Sequence, residues 1–429
     1  MARLKRGRKL WIVAATFVAT ALLVLLVANL SLGDKRIEER VETLYTVADP
    51  QFRRTMDVML GPPLLGGIRA QALLNGDQIF GDMLKAIRGA RRTIAFESYI
   101  YWSGDVGAQF TSALVERAKA GVKVHVLFDA LGSGKIDDKA VEEMKAAGVE
   151  VEKYNPWRWN TLATINNRTH RKIMVVDGRI GYTGGVGIAD EWRGNAQDPD
   201  HWRDTHFRLE GPAVAHMQAA FMENWIEVTG HVLHGEAYFP ELGKAGGQVA
   251  QFIVTSPGGG SESMQLMYLL SIAASAKSIQ LSAAYFVPDE VEIRTLVAAV
   301  QRGVRVQIIV PGRETDSPAV RRASRSTWGE LLRAGVEIYE YQPTFFHCKV
   351  MVVDDLWVSV GSTNFDSRSF SVNDEANLNV YDREFAAAQV RTFEDDLKRS
   401  KRISYEEWKN RPWTEKLWEH TMGLFRSQL

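Results

Sequence analysis

An internal repeat constrains what this chain can fold into more than any other feature. The stretch "MLKAIRGARRTIAFESYIYW" (83–102) is matched by "LLSIAASAKSIQLSAAYFVP" (269–288), in each case an amphipathic helix followed by an apolar strand. "AKAGVKVHVLFDALGSG" is matched by "VQRGVRVQIIVPGRETD", with Gly121 opposite Gly303, and "AAGVEVEKYNP" by "RAGVEIYEYQP", with Gly148 opposite Gly335. Last in each unit comes a strand that opens on histidine: "HRKIMVVD" from His170 and "HCKVMVVD" from His347. Helical patterns alternating with β-branched apolar runs predict an α/β fold, a sheet covered by helices. "VKVHVLF" and "VRVQIIV" are apolar almost throughout, as strands buried on both faces must be. Two such units most simply pack about a pseudo-twofold axis.

The expected organisation follows. A basic segment (1–9) precedes a membrane helix (10–31), a charged connector (32–67), a first repeat (68–240), a second repeat (241–400) and an amphipathic tail (401–429). The run Leu10–Leu30 carries no charge, and its 21 residues would span about 30 Å as a helix, the thickness of a bilayer's hydrocarbon core. It is longer than the apolar region of a cleaved leader and ends on Asn29-Leu30-Ser31-Leu32, a poor cleavage site. Five basic residues precede it, against Lys35, Arg36 and Arg40 after it. That bias places the N-terminus in the cytoplasm and the body outside, as a single-pass protein of the cell membrane.

The paired histidine strands carry the chemistry. Alternate residues of a strand share a face, so His170 aligns with Lys172 and His347 with Lys349. Met174, Val176, Met351 and Val353 continue those faces inward, which leaves each polar pair at a strand mouth. Asp177 and Asp354 close the motifs at turns, where a carboxylate can bond nearby backbone or a basic side chain. Glycine-rich turns follow: Gly184 and Gly185 in "GGVG", Gly361, Ser362 and Asn364 in "GSTN". Their backbone N–H groups are expected to approach an anion such as phosphate.

One His-x-Lys on a strand is ordinary surface decoration. Two copies in matching places of a repeat would gather four potential cations in one cleft, an arrangement that needs a bound anion. A phosphodiester fits: one imidazole attacks phosphorus, the other protonates the departing alcohol, and the lysines offset charge on the phosphoryl oxygens. This chemistry requires no metal or other cofactor. "DTHFRL" and "EANLNV" lie 34 and 28 residues beyond their histidines and supply Asp204 and Glu375, carboxylates suited to hold an imidazole Nδ1–H. Cys348, the one cysteine, points away from the chemistry and is expected as a buried thiol.

The repeats are not identical. Gly148 lies 22 residues before His170, but Gly335 only 12 before His347, and the extra residues include Trp157 and Trp159. They form either a surface loop or an aromatic lip at a lipid interface. In the tail, Trp413, Leu417, Trp418, Leu424 and Phe425 fall near one helical face.

The two His-x-Lys-x4-Asp motifs and their followers, with "IADEW", "WRDTHFRLEGPAV" and "GSTNFDSRSFSVNDEANL", resemble the phospholipase D superfamily, and within it the bacterial cardiolipin synthases. The resemblance runs from about residue 68 to about 412. It implies two mixed sheets flanked by helices, one active site shared between the halves, and a ping-pong reaction through a phosphohistidine. By that analogy His170 is the nucleophile and His347 the general acid, an order the sequence alone does not establish. The implied reaction moves a phosphatidyl group from one phosphatidylglycerol to a hydroxyl of a second phospholipid. Gly187 stands where the family usually has asparagine, so the first half is expected to lose an amide donor to phosphate. Hydrolysis, with water as acceptor, uses the same residues. A nuclease fits poorly with a net charge of zero and a membrane anchor, so the expected partners are phospholipids and a membrane, not nucleic acid.

Overall fold

The computed structural model describes residues 2–31, 37, 39–42, 45–157, 166–256 and 263–423; within the first helix, side chains are described at 9 and 11–25. The first half contributes β1 (Leu65–Leu74), β2 (Thr93–Ser98), β3 (Lys123–Asp129), β4 (Glu150–Tyr154), β5 (Arg168–Thr169), β6 (Ile173–Val176), β7 (Ile180–Gly184) and β8 (Thr205–Glu210). The second contributes β9 (Gln248–Thr255), β10 (Ser278–Ala283), β11 (Phe286–Val287), β12 (Arg305–Pro311), β13 (Glu337–Tyr341), β14 (Lys349–Val353), β15 (Trp357–Gly361), β16 (Phe365–Asp366), β17 (Asn373–Tyr381) and β18 (Ser400–Ile403).

The repeat is legible in the strand order, β18-β13-β12-β10-β14-β15-β17-β9-β1-β8-β7-β6-β2-β3-β4. Apart from β18, it is a palindrome about the β9–β1 joint. β2, β3 and β4 run parallel through helical crossovers, as do β10, β12 and β13, and the remaining ladders along this order are antiparallel. Gly121 and Gly303, at φ 88° and 89°, end the helix before β3 and β12 in a left-handed conformation that costs a side-chain-bearing residue.

The resemblance implied two sheets. The structure joins them into one, because β1 and β9 pair antiparallel with Leu65 opposite Ala250. Left apart, each would expose an unpaired edge of N–H and C=O groups. One face of this continuous sheet carries a shared core. Ile68, Phe207 and Trp225 of the first half pack with Val350, Val360 and Leu378 of the second. The segments 68–240 and 241–400 thus each keep a buried cluster of their own and share a third.

Met174 and Val176 pack in the first half's own cluster while Ile173 and Val175 enter the shared one. Met351 and Val353 do the same against Val350 and Val352. The histidine strands are therefore buried on both faces, with their mouths at the junction of the halves.

The connector is partly built into the body: Val47, Phe52 and Met56 are buried against the second half. So is the tail. Residues 400–403 form the edge strand β18, and the helix Trp413–Gly423 packs through Glu419, which is buried and paired with Arg325 and Arg411. Trp413, Leu417 and Trp418 point outward; Leu424 and Phe425 lie outside the described residues.

Ala2–Ser31 forms a helix, α1. Among the described residues no helix is long and apolar enough to cross a membrane. The side chains described without interruption, 11–25, account for only about 22 Å of helix, and the rest of the expected span lies outside them. Within that stretch Trp11, Ile12, Phe17, Leu22 and Leu23 are all exposed.

Candidate active site

Each histidine is stitched by its backbone to the other half. Short β5 pairs in parallel with β17, Asn373 opposite Arg168, and the His170 N–H donates to Asp374 O at 2.9 Å. The same pattern recurs in mirror image: Arg203 bridges Phe346, and the His347 N–H donates to Arg203 O at 2.8 Å. Glu375 and Asp204 follow directly on these anchor residues. Each carboxylate therefore serves the histidine of the opposite repeat. His170 Nδ1 lies 2.9 Å from Glu375 Oε1, and His347 Nδ1 lies 2.7 Å from Asp204 Oδ2.

The carboxylates are themselves held. Ser362 and Ser369 hydroxyls donate to Glu375 at 2.5 and 2.7 Å. The Trp192 indole N–H donates to Asp204 Oδ2 at 3.0 Å, and the Thr205 N–H to Oδ1 at 2.7 Å. With Nδ1 engaged in each ring, Nε2 is the nitrogen left for chemistry. Both imidazoles line one cavity of about 120 Å³ with Lys172, Asn364, Arg168, Arg368, Tyr99, Tyr285, Trp192 and Trp202. Lys172 Nζ donates to His170 O at 2.8 Å and Lys349 Nζ to His347 O at 2.9 Å. Lys349 Nζ also sits 3.1 Å from His347 Nε2.

Burial governs the protonation of this site. It lowers His170 to about 4 against the pull of Glu375, and lowers His347 to about 3 with the help of Lys349. Burial also lowers Lys172, to about 7. Burial raises a carboxyl, but His170 and Lys172 beside Glu375, and His347 and Lys349 beside Asp204, hold both acids below their usual range. Burial thus favours the neutral imidazole in both rings, beside two carboxylates. Entry of a phosphodiester anion favours the return of protons to the site.

Asp177 and Asp354 are not brought into this cavity. Both sit at the far turns of their strands, about 20 Å along from the histidines at 3.3 Å per residue. Asp177 accepts the N–H groups of Arg91, Arg92 and Thr93 at 2.7–3.1 Å, and Asp354 those of Ala276, Lys277 and Ser278 at 2.7–2.9 Å. They clamp the turn that launches the neighbouring parallel strand.

The glycine-rich turns also differ from expectation. Their N–H groups are already engaged: Gly185 to Thr205 O, Ser362 to Ala376 O, Thr363 to Asn377 Oδ1 and Asn364 to Ser369 Oγ. Close approach is indeed what the glycines permit, but by protein rather than by an anion. A Cβ at Gly184 would lie 2.7 Å from His206 Cα, one at Gly185 2.6 Å from Asp204 Oδ2, and one at Gly361 2.7 Å from Asn377 Cα. Of Gly184, Gly185, Gly361, Ser362 and Asn364, only Asn364 lines the cavity, and its Oδ1 is buried without a partner among the described residues.

The space that an asparagine would need at Gly187 is filled. A Cβ there would lie 2.8 Å from Ile100 Cβ and 3.2 Å from the Trp192 ring. Gly187→Asn is therefore expected to cost about 1–3 kcal/mol of stability by overpacking without raising turnover. Thermal denaturation in detergent beside a transfer assay checks this, and a faster, equally stable variant would show that the amide has room.

Cys348 is buried, with Sγ 3.8 Å from Arg203 O, and burial raises its thiol pKa. Trp157 is exposed, and Trp159 lies outside the described residues. The sequence reading missed Arg168, Arg368, Trp192 and Trp202. Arg168 was the one within reach, since it lies two residues before His170 on the same strand face.

A family model described as "Cardiolipin synthase, PLD-like domain" matches residues 83–225 and 268–397. This chain belongs to that family. Among its relatives, Cardiolipin synthase 1 of Bacillus anthracis is 35% identical over 85% of this chain and 73% of its own length. A cardiolipin synthase of Geobacillus sp. (strain WCH70) is 38% identical over 82% and 70%. A solved phosphatidylserine synthase from Haemophilus influenzae shares the fold, with a TM-score of 0.66 at 14% identity over 88% of this chain and 100% of that one. The chain is a phosphatidyltransferase of the phospholipase D superfamily.

Proposed function

We propose that this enzyme makes cardiolipin from two molecules of phosphatidylglycerol through a phosphohistidine. The observation that carries this reading is the pair of imidazoles in one cavity, each held at Nδ1 by a carboxylate of the other repeat. In the first step one Nε2 attacks phosphorus, the P–O bond to glycerol breaks, and the second imidazole supplies the proton that glycerol carries away. In the second step a hydroxyl of the other phosphatidylglycerol attacks phosphorus. The P–N bond breaks, and the hydroxyl's proton returns to the second imidazole. Lys172 and Lys349 offset charge on the phosphoryl oxygens throughout. The relatives named cardiolipin synthase support lipid rather than water as acceptor.

Lipid substrates also agree with an anchor in the cell membrane. The uncharged run 10–30 lies within the helix Ala2–Ser31. The basic residues before it favour a cytoplasmic N-terminus and an external body. On this reading the full chain, supplied with phosphatidylglycerol in mixed micelles, is expected to release one glycerol per cardiolipin, with EDTA leaving the rate unchanged. Lipid chromatography with a glycerol assay measures both products. Phosphatidic acid as the sole lipid product would make the enzyme a hydrolase.

A further inference from the structure

The two histidines have different surroundings in their shared cavity. Sheet register makes the equivalences plain, because Gly184 faces His206 and Gly361 faces Asn377. Asp204 is thereby equivalent to Glu375, and Trp202 to Asn373. Counting on from the same glycines makes Trp192 equivalent to Ser369 and Glu191 to Arg368. Two residues before the histidines stand Phe345 and Arg168.

Around His347 these positions are aromatic, with Trp192, Phe345 and Trp202 ring centres at 5.4, 5.4 and 6.0 Å. Toward His170 the corresponding set is Ser369, Arg168 and Asn373, all on the cavity wall with Arg368, and one ring, Tyr99, lies 5.1 Å from the imidazole. A pocket for one phosphodiester needs no such difference.

Arg168, ion-paired with Asp129, and Arg368 place two guanidinium groups on the wall of this cavity in addition to Lys172, beside the carboxyls of Asp316 and Asp366. Arg168 Nη1 donates to Asn155 O and stands 3.8 Å from Asp129, whose oxygens accept the N–H groups of Leu131, Gly132 and Thr169. Arg368 donates to Asn166 Oδ1 and O, both uncharged, and forms no ion pair among the described residues. The other acids on the wall are committed to hydrogen bonds. Asp316 accepts from the Tyr285 hydroxyl, Asp366 from the Ser369 N–H, and burial raises both, Asp366 to about 7.

Cardiolipin synthesis brings two phosphates together. When the acceptor hydroxyl reaches phosphorus, the acceptor's own phosphate is a glycerol bridge of three carbons away. We propose that Arg168 and Arg368 bind the phosphate of the second phospholipid, so that this cavity selects an anionic acceptor. Guanidinium groups suit this role because their forked donors match phosphate oxygens. The inference rests on the phosphatidyl-transfer reading and adds to it the residues that hold the acceptor's phosphate.

The test is competition between acceptors. The full chain in phosphatidylglycerol micelles containing ethanol is expected to form both cardiolipin and phosphatidylethanol. Arg368→Gln and Arg168→Gln are each expected to lower the cardiolipin-to-phosphatidylethanol ratio tenfold or more, with Arg368→Lys recovering part of it. Arg368 is only partly buried, so its variants read the site even where Arg168→Gln fails to fold. An unchanged ratio, at any total rate, overturns the acceptor site while leaving phosphatidyl transfer intact. A wild-type enzyme that yields phosphatidylethanol but no cardiolipin overturns the synthase reading and the acceptor site with it.

Discussion

Alanine in place of either His170 or His347 is expected to lower phosphatidyl transfer by about 10⁴-fold or more, because each ring performs a step that the other cannot perform alone. One must be neutral to attack phosphorus, and the other must carry a proton to the leaving alcohol. Burial lowers both, to about 4 and about 3. Acidification from pH 6.5 to 5 therefore leaves the attacking ring unprotonated while it raises the protonated fraction of the ring that acts as acid, and kcat/KM of the wild type is expected to rise across that interval. Above about pH 7 it is expected to fall as Lys172 loses its proton. Initial rates with defined micelles over this range decide the matter. A variant retaining a tenth of the activity would remove the two-histidine mechanism, and an acid limb near 6.5 would show rings titrating as if exposed.

Glu375→Gln and Asp204→Asn carry the second largest effect. Each keeps the size of the side chain and removes the charge that fixes the Nδ1–H tautomer and steadies the imidazolium formed in the reaction. A loss in kcat of between about 10² and 10⁴ is expected, with KM little changed. Stability is expected to suffer too, since Ser362 and Ser369 donate to Glu375 inside the protein and Trp192 donates to Asp204. The crossed pairing makes a further demand. Trapping with radiolabelled phosphatidylglycerol is expected to place phosphohistidine on one ring only, and the carboxylate of the opposite repeat controls its yield. A loss under tenfold in both variants would reduce these carboxylates to packing.

Much of the site was legible because strand geometry is local. His170 and Lys172 share a face whatever the rest of the chain does, and so do His347 and Lys349. Asp204 and Glu375 could be named as partners for imidazole from their place after each motif. The direction of the glycines could not be read. Small residues at 184, 185 and 361 predict that something comes close, but sequence does not say whether it is a ligand or a neighbouring strand. In the fold it is β8 and β17, which bring Asp204 and Asn377 against them. The motif aspartates bond backbone at turns, as their place in the sequence indicated. Their spacing from histidine is regular because the strand has a fixed length, and that same length carries them out of the cavity to the turns they clamp.

The amino-acid order alone determined the duplicated α/β units and the two buried strands that open on His-x-Lys, because these depend on periodicities of two and 3.6 residues within short stretches; the family was indicated by the resemblance of the paired motifs. The tertiary structure decided which carboxylate meets which histidine, and that Arg168 and Arg368 line the same cavity as both rings. Those outcomes follow from the joining of β1 to β9, which sets strands far apart in the chain beside each other and turns two half-sites into one.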